Sequence, residues 1–182
     1  VAHWGVALGD AITYSLGFRA PSVGDLIARR ADAALEQIST TSLLEDGVSL
    51  HSPSRPGEIT TEHIANAGDA INNALDALDL GRWFGEVVTE VGGDLDNPDL
   101  QAALQADEVR LHPATRIAWR EREDTIDVFI GGGHVEVPLN ALEHLMALCN
   151  GGWIQRSELI EASETLFDTL CETGALTDED LT

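Results

Sequence analysis

Lysine is absent from this chain. All ten basic residues among the 182 are arginines, set against 32 aspartates and glutamates, for a formal net charge of −22. Binding of bare nucleic acid needs lysine and arginine against phosphate, so the overall field repels it and attracts basic partners instead. An acidic, lysine-free surface also suits high salt, where screening removes the self-repulsion that such a charge creates in dilute buffer. Cysteine is scarce: Cys149 and Cys171 are the only two, and they form no C-x-x-C pair. They read as ordinary core thiols of a reducing cytoplasm, although sequence leaves a disulfide open. No apolar run approaches the roughly eighteen residues of a spanning helix, and no basic start leads into an apolar stretch, which argues against a membrane span and a signal peptide. Also missing are H-E-x-x-H, G-x-G-x-x-G, a Walker loop, G-x-S-x-G, any low-complexity tract and any internal repeat. His51, His63, His112, His134 and His144 are scattered without ligand spacing and read as ordinary histidines.

The hydrophobic fraction is 43%, enough for a sizeable core in one medium domain or two small ones. Near the start, Thr13 and Ser15 alternate with Ile12, Tyr14 and Leu16. That period of two predicts a strand with one small polar face and one bulky apolar face, ended at Gly17 and Pro21. Ser22 then caps a predicted helix carrying Val23, Leu26, Ile27, Ala34, Leu35 and Ile38 on one stripe. Residues 39–59 hold turn chemistry throughout. Thr60 or Thr61 caps a second helix with Ile64, Ala67, Ile71, Leu75 and Leu78, which Gly81 is expected to break. A third helix follows with Trp83, Phe84, Val87, Val88 and Val91, ending at Gly92 and Gly93. Three amphipathic helices in succession make a helical unit, and the third is apolar enough for core or for a dimer interface.

Residues 94–98 are polar and contain Pro98, a plausible boundary, and a short helix is expected near 99–106. The period then returns to two. Ile117 and Trp119 alternate, as do Ile126, Val128 and Ile130, then Val135 and Val137, with Gly131-Gly132-Gly133 as a hairpin turn. Asn140 is expected to cap the next helix with Glu143 as its capping-box partner. Ser157 is expected to cap a brief helix, and a last one carries Leu166, Phe167, Leu170 and Cys171 up to Gly174. Strands followed by three short helices, with a tight turn between the last two, form a winged-helix-like layout.

The first twenty-one residues carry the sharpest signal. His3 is followed by Gly5-Val6-Ala7-Leu8-Gly9-Asp10-Ala11-Ile12-Thr13-Tyr14-Ser15-Leu16-Gly17-Phe18-Arg19-Ala20-Pro21. This run resembles the end of the catalytic barrel in bacterial ribosomal oxygenases, which are JmjC-type cupins using iron and 2-oxoglutarate. Arg82-Trp83-Phe84-Gly85-Glu86 resembles the W-F-G-E helix of the same family, and the last third resembles its winged-helix module.

The resemblance implies an α+β chain in three parts. Residues 1–21 would be the terminal strands of a truncated cupin (double-stranded β-helix) barrel, whose remainder lies upstream of Val1. Residues 22–96 would be a helical dimerisation-type domain, and residues 97–182 a winged-helix-like domain. It also implies that His3 is the distal histidine of a two-histidine, one-carboxylate Fe(II) site, which leaves positions open for 2-oxoglutarate and dioxygen. Thr13 and Ser15, small donors on one strand face, become candidates for the cosubstrate pocket. Arg19 in the turn reads instead as a structural ion-pair residue. The implied substrate is a ribosomal protein side chain, an arginine of large-subunit ribosomal protein sixteen in bacterial members, and −22 would steer a basic protein toward the enzyme.

The family's H-x-D pair is absent from these 182 residues, so this polypeptide alone is expected to be inactive and the activity to belong to a longer cytoplasmic parent. The alternative is a non-enzymatic dimerisation or interaction module of helices plus winged helix. Direct DNA binding is disfavoured: the helix that would enter the groove carries Glu164, Asp168 and Glu172, with Arg156 the nearby cation.

Overall fold

The computed structural model describes residues 21–39, 41–45, 55–91 and 104–178. The chain falls into two units, Val1–Leu43 and Leu44–Thr182. In the first, helix α1 spans Val23–Gln37. Ser22 Oγ accepts from the Asp25 backbone N–H at 3.0 Å, and Asp25 Oδ2 accepts from the Ser22 backbone N–H at 3.3 Å. This reciprocal cap satisfies two of the donors that a helix start leaves unpaired. The Ser22 hydrogen bonds also hold the Asp25 carboxyl below its ordinary range. Ala34 is buried, while Val23, Ile27 and Leu35 on the same apolar stripe are exposed.

The second unit opens with helices α2 (Thr61–Asp76) and α3 (Leu80–Thr89). Thr60 is the cap of α2, with His63 Nδ1 accepting from the Thr60 N–H at 3.1 Å. Gly81 does not break the helices, as the sequence led us to expect. The chain turns at 77–79, Asp79 is the N-cap, and Gly81 lies in the first turn of α3. Aspartate wins here because its carboxylate accepts two of the free N–H groups at the helix start.

Strands β1 (Glu108–Leu111), β2 (Ile117–Glu121), β3 (Thr125–Ile130) and β4 (Gly133–Pro138) follow. A 3₁₀ turn at Leu139–Ala141 leads into α4 (Leu142–Cys149), then β5 (Ile154–Gln155), α5 (Arg156–Ala162), α6 (Glu164–Glu172) and β6 (Leu176–Thr177). Strands β2, β3 and β4 form an antiparallel sheet in that order. Its β3–β4 hairpin turns on Gly131 and Gly132, at φ of 58° and 88°. Two successive residues at positive φ match the right-handed twist of the flanking strands, a geometry that glycine reaches without strain.

A second sheet has the order β5-β1-β6. The first half of β1 pairs with β5 (Val109 with Ile154) and its second half with β6 (Leu111 with Leu176). The expected Asn140 cap with Glu143 is not formed. Pro138 ends β4, Asn140 lies inside the 3₁₀ turn, and α4 starts from Ala141 with no side-chain cap. Likewise Ser157 lies inside α5, whose N-cap is Gln155.

The core of this unit joins Ile126, Val128 and Ile130 of β3 and Val137 of β4 to Leu145 and Leu148 of α4, Leu159 of α5, and Leu166 and Leu170 of α6. Each fully buried leucine contributes roughly 1.5–3 kcal/mol relative to exposure. The alternate residues of β3, Asp127 and Phe129, are also buried. That second face of β3 lies under α3, which packs on β2, β3 and β4. The central strand is therefore covered on both sides, with Asp127 and Phe129 facing α3.

Candidate functional site

His3, Thr13 and Ser15, the residues singled out for metal and cosubstrate, lie outside the described residues, as do Arg19 and the residue run that carries the family resemblance. The second motif, Arg82–Glu86, lies inside. Its Trp83 is buried, Phe84 is half exposed, and Arg82 Nε donates to Glu86 Oε1 at 2.9 Å. Gly85 sits directly on the Phe129 ring: a Cβ placed on it would come within 2.4 Å of Phe129 Cδ2. Four residues later, buried Thr89 donates its hydroxyl to the Gly85 carbonyl at 2.8 Å and accepts the Gly132 N–H at 3.2 Å. The motif is thus a docking surface of α3, fixed at one end to the β3–β4 turn.

At the other end of α3 is a cluster of charges. Asp79 Oδ1 accepts from the backbone N–H groups of Gly81 and Arg82 at 2.9 and 3.0 Å. The same carboxylate accepts both terminal nitrogens of Arg120 on β2, each at 3.1 Å, and Arg122 Nη2 at 2.7 Å. The two arginines reach Asp127 as well, Arg120 through Nε at 2.9 Å and Arg122 through Nε at 3.0 Å. His134 on β4 closes the set, its Nε2 lying 2.9 Å from Asp127 Oδ1. Since Asp127 is ionised, that nitrogen donates. The His134 ring also rests against Phe129, centroids 5.4 Å apart.

Two carboxylates and two guanidiniums balance. Asp127 is only 1% exposed, and an isolated charge there would be expensive. Burial by itself raises the Asp127 carboxyl, but the hydrogen bonds from His134 and Arg120 and the nearby arginine charges outweigh it and hold the group below its ordinary range. The Arg120 hydrogen bonds and the backbone N–H of Arg82 hold Asp79 well below the usual carboxylate range. Arg120 is correspondingly held charged far above any accessible pH by Asp79 and Asp127.

These shifts fix a pH dependence. Folded-state values below the unfolded reference, about 4 for a carboxyl, give stability that is fully present above that reference and lost as pH falls through the folded values. Urea midpoints should therefore be level between pH 7 and 5 and fall steeply toward pH 3. A midpoint that stays level to pH 3 would show that the network does not stabilise the fold.

Both carboxylates of this network are taken up by its own arginines and His134, and among the described residues no nucleophile is hydrogen-bonded to His134. Its chemistry is that of a clamp. The sequence marked His134 as an ordinary, partly buried histidine, and its bond to Asp127 fits that. The clamp itself was missed, because Asp127 and Arg120 alternate with apolar residues and look like a solvent-facing row. Phe129, on the same face as Asp127, was the signal that something covers it. Cys149 and Cys171 are free thiols. Neither is the fully buried core thiol that the sequence led us to expect: Cys149 is exposed and Cys171 half-buried, because Cys149 is the last residue of α4 and Cys171 packs at the margin of the core. Partial burial still raises both, Cys171 to about 11 with help from the Asp168 charge. Among the described residues no group of three His, Cys, Asp or Glu side chains could hold a metal ion, and no helix is long and apolar enough to cross a membrane.

No family model matches the chain. A match of 26% identity over 108 residues links it to the ribosomal protein uL16 3-hydroxylase of Escherichia coli strain K12, covering 59% of this chain and 29% of that protein. The chain resembles a ribosomal oxygenase. Solved structures of the Escherichia coli ribosomal oxygenase YcfD share the fold. One superposes with a TM-score of 0.66 at 19% identity over 90% of this chain and 48% of its own. Another, holding cobalt and 2-oxoglutarate, gives 0.64 at 20% identity over 88% and 47%. The chain thus spans about half the length of these structures.

Proposed function

We propose that the chain is the C-terminal part of a 2-oxoglutarate- and Fe(II)-dependent oxygenase that hydroxylates a ribosomal protein side chain, an arginine of uL16. The observation that carries this reading is the sequence match to a uL16 3-hydroxylase, joined to the His3–Pro21 run. His3 would supply one iron ligand, and Thr13 and Ser15 would line the 2-oxoglutarate pocket. The described residues themselves do not fit a metal; by the family resemblance the remaining ligands would be an H-x-D pair, which these 182 residues do not contain. Residues 1–21 would then end the cupin barrel, 22–96 would be the dimerisation domain, and 97–182 the winged-helix domain.

Exposed Val23, Ile27 and Leu35 on α1, and exposed Ile64 and Ile71 on α2, support homodimerisation through the helices. The exposed Glu164, Asp168 and Glu172 of α6 support a protein rather than a DNA partner for the C-terminal part. The −22 charge suits a basic substrate and a salt-rich cytoplasm.

The test is mass spectrometry of a uL16 arginine peptide incubated with the longer protein, Fe(II) and 2-oxoglutarate. A single added oxygen is expected on arginine, and an unmodified peptide under conditions where the cosubstrate binds would reject the reading. Light scattering in high salt should return twice the chain mass; the monomer mass would reject the dimer.

A further inference from the structure

Between the C-terminal end of α3, the β1–β2 turn and the end of α4 lies an open cleft of about 500 Å³. One wall is apolar, with Val88, Leu111, Ile117 and Leu148. The polar lining comes from Thr89, Arg110, His112, Thr115, Arg116 and Cys149, and no carboxylate is among the described residues that line it. Two arginines and a histidine thus meet on one cleft of a chain that has ten basic residues against 32 acidic ones.

Arg110 lies over the Trp153 ring, 5.4 Å from its centroid, and has partners of its own, so the donors that matter in the cleft are those of Arg116 and His112. Arg116 is anchored by Nη1, which donates to the Glu90 carbonyl at 2.9 Å, and no carboxylate among the described residues pairs with it. Its Nη2 and Nε keep their protons for another acceptor. His112 Nδ1 accepts the Ala114 backbone N–H at 3.2 Å. Nδ1 is therefore the unprotonated nitrogen, and the proton of the neutral ring sits on Nε2, a donor. Thr115 Oγ1 already donates to the Ala175 carbonyl at 3.3 Å, and Thr89 donates to Gly85 and accepts from Gly132. Burial raises the Cys149 thiol and keeps it neutral. What Arg116 and His112 leave unspent is donor capacity with positive charge, next to an apolar wall. That combination selects an acceptor-only, negatively charged head on an apolar body.

We propose that this cleft binds a small amphipathic anion, a single carboxylate or phosphate on an aromatic or aliphatic body, with Arg116 and His112 on the anionic head and Val88, Ile117 and Leu148 on the body. The site stands apart from the charge clamp and does not depend on the oxygenase reading.

The experiment is an amide-resolved NMR titration of the full chain in moderate salt with phenyl phosphate and with benzoate, using benzyl alcohol as the uncharged control. Saturable shifts confined to the amides of Val88, Thr115, Arg116 and Ile117 are expected with at least one anion and not with the alcohol. The anion that saturates first identifies the head group. R116Q should weaken that binding about tenfold or more, H112F should weaken it less, and R82Q, on the exposed side of α3, should leave it unchanged. Binding equal for the alcohol and the anions, no saturation, or full affinity in folded R116Q and H112F would overturn the proposal.

Discussion

Asp127→Ala should lower the unfolding free energy by about 3 kcal/mol, read as a shift of the urea midpoint at constant slope. Breaking a buried ion pair by removing one partner typically costs 3–5 kcal/mol, because the other charge is left uncompensated. The lower end applies because Arg120 and Arg122 remain 33% and 44% exposed and recover part of their hydration. Even so, the loss is a large share of the 5–15 kcal/mol typical of a domain. Asp127→Asn keeps an acceptor for His134 and the shape of the site, so it should cost less than the alanine variant. The single alanine change should also reduce the acid dependence described above, since one of the two lowered carboxylates is gone and Asp79 loses its shared partner across Arg120. Equal midpoints for wild type and Asp127→Ala at pH 7 would mean that α3 is held by packing alone.

The second large effect is expected at Gly85. A methyl group there would meet the Phe129 ring at 2.4 Å, and Phe129 is 2% exposed in the central strand, so the ring has nowhere to swing. Gly85→Ala should cost about 2–3 kcal/mol by overpacking, despite alanine's better helix propensity. Gly68, inside α2, makes the comparison clean, because nothing lies within 4 Å of its Cβ position. Gly68→Ala should stabilise by roughly 0.5–1 kcal/mol. Pairing Gly85→Ala with Phe129→Leu should recover part of the loss, and the coupling in that double-mutant cycle measures the contact. Additive effects would show that helix and ring do not press on each other.

Much of this fold was legible in the sequence. The period-two runs placed β2, β3 and β4, the glycine triplet placed their tight turn, and Ser22 and Thr60 marked two helix starts. What escaped has physical causes. Strand β1 is four residues, Glu-Val-Arg-Leu, and β5 and β6 are two each, too short for a period to show; their identity comes from pairing across the chain. Gly81 looked like a breaker because glycine is a poor helix former, yet it occupies a helical turn where Arg120 leaves no room for a side chain. Asn140 looked like a cap, but Pro138 two residues earlier ends the strand and the backbone passes through a 3₁₀ turn. The catalytic assignment rested on resemblance from the start, since His3, Thr13 and Ser15 carry no local pattern that separates a ligand from an ordinary strand residue. The clamp and the cleft were invisible because both are built from residues distant in sequence.

The split allegiance of β1 has a consequence for the order in which the molecule is assembled. The hairpins of β2, β3 and β4 close over two-residue turns and involve only neighbours in the chain, so they form early and cheaply. Strand β1 precedes them, yet its two halves wait for Ile154 and Leu176, segments synthesised after the whole β2–β4 sheet and, for Leu176, after all three helices of the last third. On a ribosome β1 leaves the exit tunnel long before its partners. It must stay unpaired, with apolar Val109 and Leu111 waiting, until nearly all of the chain is available.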